Sequence, residues 1–150
     1  MEPKLEIKDI SFVHNALPDL SIEEISLATE LIGSSVTVEF PILVLASDES
    51  DIPKLASYGT PIAIIVKSGD SLHVYIDSKK TCELPGNTPM VHIEDGIEAA
   101  KAVRLGYIPF IRPEQLDQLQ LYLKQLRITM FLTDSKDMRA LKAAPIYKMG

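Results

Sequence analysis

Apolar and polar positions are ordered most clearly between residues 89 and 113. Residues 90–93 form a short apolar run bounded by proline and by acids, which predicts a buried strand. Residues 97–106 carry apolar side chains at helical spacing, and residues 108–111 form a second apolar run. This order predicts a strand–helix–strand crossover, the building unit of parallel α/β folds.

The central helix of that unit carries boundary signals at both ends. Asp95 stands where an N-cap belongs, and Gly106 stands where a glycine beyond the C-cap belongs. The apolar stripe of the helix is predicted to contain Ile97, Ala100 and Val103, with Ala99 and Leu105 beside it.

The rest of the chain adds shorter elements. Residues 22–32 begin with a Ser21/Glu24 capping pattern and are followed by Gly33. They predict either a short helix or an irregular wrap. The polar loop 68–71 lies between two β-rich runs and predicts a hairpin, which makes the sheet mixed. The further predictions are strands at 5–13, 36–40 and 41–46, a short helix at 52–58 ended by Gly59, a loop at 78–88, and helices at 114–132 and 138–143.

Together these elements predict an α/β fold in a single domain of residues 1–150. The architecture expected is a partial (β/α)-barrel-like mixed sheet of about five or six strands with flanking helices. The 150 residues are too few for a full eight-stranded barrel, which needs about 200 or more.

The composition of the chain excludes some classes of binding partner and indicates a cellular location. The chain is 46% hydrophobic and has a net charge of −6 without a basic block, which argues against nucleic acid and anionic membrane surfaces. It contains no apolar run of about 18 residues and no signal-peptide pattern. The single cysteine, Cys82, cannot form an internal disulfide, so a reducing, cytoplasmic location is expected.

Two strings carry a resemblance to a known family, namely His14-Asn-Ala-Leu-Pro and Thr129-Met-Phe-Leu-Thr. With the segment 96–106 and Arg112-Pro113, they make the chain similar to the type 2 isopentenyl-diphosphate isomerases, which are FMN-dependent (β/α)-barrel enzymes. The resemblance implies that His14 and Asn15 belong to a family motif, and that residues 128–132, where strand propensity is high, are helical. It also implies that Gly96 and Arg112 occupy positions on the flavin-phosphate side.

The chain departs from the family where the family binds its cofactor. Ser47-Asp-Glu stands in place of a Thr-Gly-Gly string, and Glu94-Asp95 replaces a Ser-Gly-Gly-Ile-Arg-Thr string. The family's Arg-Lys-x-x-His string and its His-Leu-Asn…Gln-Glu segment have no counterpart, and family members are more than twice as long. Asp95 would occupy helix amides that a phosphate needs, and both acids would repel it. We therefore expect no bound FMN or Mg²⁺, no catalytic residue and no metal ligand.

The remaining candidate residues favour structural roles. We expect His14 to be a structural hydrogen-bonder, His73 to face solvent, His92 to be a satisfied core histidine, and Cys82 to be inert. Asp48, Glu49 and Asp51, with Glu94 and Asp95, could converge at one sheet edge. Such a cluster would be either a Mg²⁺ or Ca²⁺ site or a solvated acidic rim, and the second interpretation is favoured.

The hypothesis from sequence is a non-catalytic, truncated and degenerate isomerase-like protein with a binding, scaffold or regulatory role. The alternative is an enzyme, a minimal FMN-dependent isopentenyl-diphosphate isomerase or another small flavoprotein. Apolar strands that are too few to close a barrel further predict a homodimer or a protein partner that covers the sheet's inner face.

Overall fold

The computed structural model describes residues 5–15, 19–31, 34–58 and 62–148. Strands in this part of the chain are β1 (Ile10–Phe12), β2 (Thr29–Glu30), β3 (Thr37–Val38), β4 (Leu43–Ala46), β5 (Ala63–Ser68), β6 (Ser71–Ile76), β7 (Lys79–Pro85), β8 (Met90–His92), β9 (Ile108–Ile111) and β10 (Ile146–Lys148). The α-helices are α1 (Ile52–Ala56), α2 (Gly96–Leu105), α3 (Leu119–Leu132) and α4 (Met138–Lys142). Turns of 3₁₀ helix occupy Ile7–Asp9, Ile22–Glu24, Glu49–Asp51 and Pro113–Gln118.

The main sheet has six strands in the order β7-β6-β5-β4-β9-β8. Strand β4 pairs in parallel with β5 and with β9, and β8 pairs in parallel with β9. The β5–β6–β7 segment is an antiparallel meander. The predicted α/β class with a mixed sheet is therefore confirmed, and β8–α2–β9 is the predicted crossover.

The sheet must curl, because its two edge strands are consecutive in the sequence. Only residues 86–89 join the end of β7 to the start of β8. Five inter-strand spacings would put the edges of a flat sheet about 24 Å apart, whereas five Cα steps reach at most about 18 Å. Leu84 on β7 and Ile108 on β9 accordingly lie in one buried cluster. The result is an open, partial barrel.

The curled sheet separates two apolar cores. The outer core lies between the sheet and helices α1 to α4. The inner core is lined by alternate strand residues, among them Leu43, Ile65 and Val74, each 0% exposed, and the short β2–β3 hairpin adds Leu31 and Val38. The described residues bury this inner face within one chain, so a second chain is not needed to cover it, and the predicted homodimer or protein partner stays a prediction.

Helix α2 shows why the predicted stripe was partly wrong. Its ends follow the prediction: Asp95 Oδ1 accepts a hydrogen bond from the Glu98 N–H (2.7 Å), and Gly106 is left-handed with φ 86°. Ile97, however, is 44% exposed. The helix packs against both the sheet and α3, so the buried positions are the small ones, namely Gly96, Ala99, Ala100 and Ala102, together with Val103.

Other differences from the sequence-based predictions are local. The predicted loop 78–88 contains strand β7, which turns back from β6 at Asp77 and Ser78, both with positive φ. Residues 5–13 form a strand only at β1. After the Ile22–Glu24 turn the chain is extended, so the irregular wrap is the correct alternative.

Some predicted helix boundaries are confirmed, and two predicted stops fall on residues that the structure does not describe. Helix α3 continues through residues 128–132, as the helical stripe predicted. Asp137 caps α4 through the Ala140 N–H (2.9 Å). The predicted stops at Gly33 and Gly59 lie outside the described residues. Within the described ranges, no helix is both long and apolar enough to cross a membrane.

Candidate functional site

The candidate site lies at the mouth of the curled sheet, at the carboxyl ends of its parallel strands. Ser47 follows β4, Lys67 lies near the end of β5, and Arg112 follows β9. Strand alternation places these three residues on the same side as the inner-core residues Leu43 and Ile65. They line a cleft of about 440 Å³, together with Leu45, Ala46, Pro113 and Glu114. Parallel α/β sheets bind their ligands at this edge.

The cleft is distinguished by its two cations. Lys67 and Arg112 are exposed, and neither forms an ion pair with a carboxylate among the described residues. The Arg112 guanidinium carbon lies 5.9 Å from the centre of the Phe110 ring, a cation–π contact that holds it near the strand end. Glu114 is the acid that lines this cleft. The lining therefore offers two positive groups and the Ser47 hydroxyl to an anion.

Gln115 fixes the floor beside Arg112. Its Oε1 accepts a hydrogen bond from the Arg112 N–H (2.8 Å) and lies 2.6 Å from His92 Nε2. Its amide nitrogen donates to the Ile93 carbonyl (2.9 Å). The His92 ring also lies against Phe110, with centroids 5.6 Å apart. His92 is thus a hydrogen-bonded structural histidine, half-buried rather than in the core.

An acidic outer rim continues the cleft. A second cavity of about 350 Å³ shares Ser47 and Lys67 with the first, and adds Asp48, Glu49 and Ser50. Asp48 Oδ1 accepts from the Ser50 N–H (2.7 Å) and from the Ser50 hydroxyl, and these bonds, the hydroxyl first, lower the pKa of Asp48. Asp48 is therefore the capping residue of the 3₁₀ turn Glu49–Asp51.

His73 is the clearest error among the predicted residues. It lies on the outer face of the sheet, where its side chain is only 15% exposed and Nε2 lies 3.2 Å from Glu83 Oε1. The prediction that it faces solvent was wrong because strand β7, which carries Glu83, was expected to be a loop. The 3₁₀ turn Glu49–Asp51 covers the ring from the other side, with 4.0 Å between His73 Nδ1 and Glu49 Oε1.

The start of α2, which the resemblance alone places on a flavin-phosphate side, does not fit a phosphate. At the start of α2 the Glu98 N–H donates to Asp95, the Gly96 N–H donates to Gln125 Oε1 (2.9 Å), and the Glu94 N–H donates to Glu98 Oε1 (2.7 Å). These amides are already satisfied, partly by carboxylates that would repel a phosphate. Gly96 serves packing instead, since its Cα faces the backbone of α3.

The proposed convergence of acids into a metal site does not occur. No three His, Cys, Asp or Glu side chains in the described ranges are grouped so that they could hold a metal ion. Asp48 and Asp95 are each engaged as caps of separate elements. The solvated rim therefore remains the favoured interpretation of these acids, and the absence of a bound metal stays a prediction.

The two family-like strings meet in space. The Asn15 N–H donates to the Leu132 carbonyl (2.6 Å), and the Val13 N–H donates to the Pro145 carbonyl (3.1 Å). His14 is exposed, and its predicted structural hydrogen bond stays a prediction. Residues 16–18 of the motif lie outside the described residues. Cys82 is half-buried on β7 and unpaired.

Sequence reasoning missed Lys67 and Ser47 as site residues. Each is an ordinary polar residue at a strand end, and only the β9-β4-β5 order brings them beside Arg112. Comparison with known proteins finds no matching family model and no matching curated protein. The resemblance to the isomerases therefore depends on the strings quoted above.

Proposed function

We propose that this protein is a non-catalytic, degenerate relative of the type 2 isopentenyl-diphosphate isomerases that binds a small anion in a regulatory or scaffold role. The observation that carries the proposal is the pair of cations at the mouth of the sheet. Lys67 and Arg112 come from the ends of different strands and line one cleft with the Ser47 hydroxyl. Arginine with a second cation and a hydroxyl is a chemistry that recognises carboxylates and phosphates.

The lining also favours binding over catalysis. A general base or an activated nucleophile needs a partner within hydrogen-bond reach. Among the residues that line the cleft, Ser47 has no histidine beside it, and Glu114 is the sole carboxylate. His92 is engaged with Gln115 beneath the cleft. These residues can hold and orient an anion, but they form no proton-transfer pair.

The first prediction concerns the two cations. We expect Lys67→Gln and Arg112→Gln each to weaken the binding of inorganic phosphate or a small carboxylate by about tenfold, since each removes a charge-assisted contact. Lys54→Gln is the matched control, because Lys54 is exposed on α1 and does not line the cleft. Calorimetry on the three variants measures the effect. Equal affinity of all three for the anion would contradict the proposal.

The second prediction concerns the enzyme alternative. We expect neither tight FMN binding nor isomerisation of isopentenyl diphosphate when FMN, a reductant and Mg²⁺ are supplied. The reason is that Asp48 and Asp95 cap the two turns that would have to approach the flavin. Visible flavin absorbance of the purified protein, micromolar FMN affinity by calorimetry, or turnover that an Arg112→Gln change abolishes would support the enzyme instead.

Self-association and a cytoplasmic location complete the proposal. The apolar side chains Ile97, Leu121 and Ile128 on α2 and α3 are 39% to 48% exposed, and they are candidates for contact with a second copy or a protein partner. Such contact would add to the closure of the inner core but would not be needed for it. The location follows from the unpaired Cys82, which suits a reducing compartment.

A further inference from the structure

His73 occupies a position that the proposed binding site does not use. It lies on the outer face of β6, paired with Val66 on β5 and with Glu83 on β7. The 3₁₀ turn Glu49–Asp51, which follows the cleft residue Ser47, lies over its ring. The histidine therefore connects the antiparallel meander to the segment that forms the outer rim of the cleft.

The ring is held between two carboxylates but is bonded to only one. Nε2 lies 3.2 Å from Glu83 Oε1, whereas Nδ1 lies 4.0 Å from Glu49 Oε1. Nδ1 is buried and has no hydrogen-bond partner among the described residues. The Tyr75 hydroxyl donates to the same Glu49 oxygen (3.3 Å).

The missing bond has a simple chemical reason. A neutral imidazole has one N–H, and if Nε2 donates it to Glu83, then Nδ1 presents a lone pair toward the Glu49 carboxylate. A protonated imidazolium has two N–H groups, so it can donate to both carboxylates at once. Imidazole is the side chain that commonly changes its charge near neutral pH.

The pKa values of two neighbouring side chains are shifted away from neutral pH. Hydrogen bonds from Ser71 and then from His73, with the Lys80 ammonium nearby, lower the pKa of Glu83. Burial, and then the neighbouring Glu49 carboxylate, raise the pKa of Tyr75. The neighbour on β5, Val66, does not ionise.

We propose that His73 is a proton-controlled latch that holds Glu49 on the outer rim and so regulates anion binding in the neighbouring cleft. The inference rests on the proposed function. The Glu49 side chain is 64% exposed and lines the same cavity as Lys67. When His73 is neutral, the Tyr75 hydroxyl is the contact that holds Glu49. The negative charge of Glu49 then competes with an anionic ligand for Lys67. When His73 is protonated, Glu49 gains an ionic partner away from the cleft.

The ligand test uses sulfate, whose own charge stays constant between about pH 6 and pH 8. We expect sulfate affinity to rise about two- to fivefold as the pH falls through this range, the effect of neutralising one charge near a solvated site. His73→Gln should reduce the pH dependence to whatever His92, beneath the cleft, contributes, and Glu49→Gln should show the same reduced dependence. A pH dependence as steep in His73→Gln as in the wild type would overturn the inference.

A second measurement tests the latch without any ligand. A double-mutant cycle of His73→Gln and Glu49→Gln should show coupling in the unfolding equilibrium constant of about threefold near pH 6 and none near pH 8. Equal coupling at both pH values, or none at either, would overturn the latch. If sulfate fails to bind at all, the proposed function and the ligand half of this inference fall together, and the cycle still decides the latch.

Discussion

Replacing Gly96 by alanine should destabilise the protein by about 3 kcal/mol or more, an effect at the upper end for one added methyl group. Gly96 begins α2 where it crosses α3. A Cβ at this position would lie 2.6 Å from the Leu126 nitrogen, 2.7 Å from Gln125 Cβ, and closer still to the Tyr122 carbonyl oxygen. Two of these three atoms are backbone, so α2 and α3 would have to separate. The hydrogen bond from the Gly96 N–H to Gln125 would be lost with them.

Gly69→Ala is the matched control for this prediction. Gly69 has φ +60°, but a Cβ there meets nothing within 4 Å. The same chemical change should therefore cost only the left-handed backbone strain of about 1 kcal/mol. Urea denaturation of both variants measures the difference. If Gly96→Ala is no more destabilised than Gly69→Ala, the close approach of α2 and α3 is not as described.

Truncation of the inner core should cost as much as truncation of the outer core. Ile64 and Ile65 are adjacent on β5, both are 0% exposed, and they point into the outer and inner clusters respectively. Each change to alanine should destabilise the protein by about 3 to 4 kcal/mol, the usual cost of removing a buried isoleucine side chain. Equality is expected because a single chain seals both clusters.

Denaturation at several protein concentrations measures both effects. If the inner face were open in a single chain, Ile65→Ala would cost much less than Ile64→Ala, and that result would contradict the closed inner core. A wild-type midpoint that rises with concentration would support the proposed self-association, since a dimer gains stability by mass action. A midpoint independent of concentration would remove the homodimer from the proposal.

The apolar pattern was sufficient to predict the β8–α2–β9 crossover, although the edge strand β8 is only half-buried. The pattern indicates two strands, at 90–93 and 108–111, because each is a continuous apolar run. It indicates the helix between them because Asp95 and Gly106 are residue types specific to helix ends. Strand β7 was missed because residues 79–83 are mostly polar and exposed. Its extended conformation depends on its pairing with β6. Local pattern contains no information on that pairing.

The curl of the sheet, and the site at its mouth, depend on which strands pair and on the short link between β7 and β8. Only the order of strands shows that β7 and β8 are opposite edges joined by a short link. The same order places Lys67 and Arg112 in one cleft, at the ends of the two strands that flank β4, although they are far apart in the sequence. The sequence indicated Arg112 only through the resemblance and without its neighbour Lys67, and His73 was misplaced because its partner strand was missing.

We propose that the mouth of the sheet binds a small anion while the start of α2 does not. The most direct measurement is an amide NMR titration of the protein with inorganic phosphate. We predict saturable shifts at residues 47–50, 67–68, 112 and 114, which line the cleft and the cavity beside it, and none at residues 95–98. Shifts confined to the start of α2, or no saturable shift at the cleft, would contradict the account.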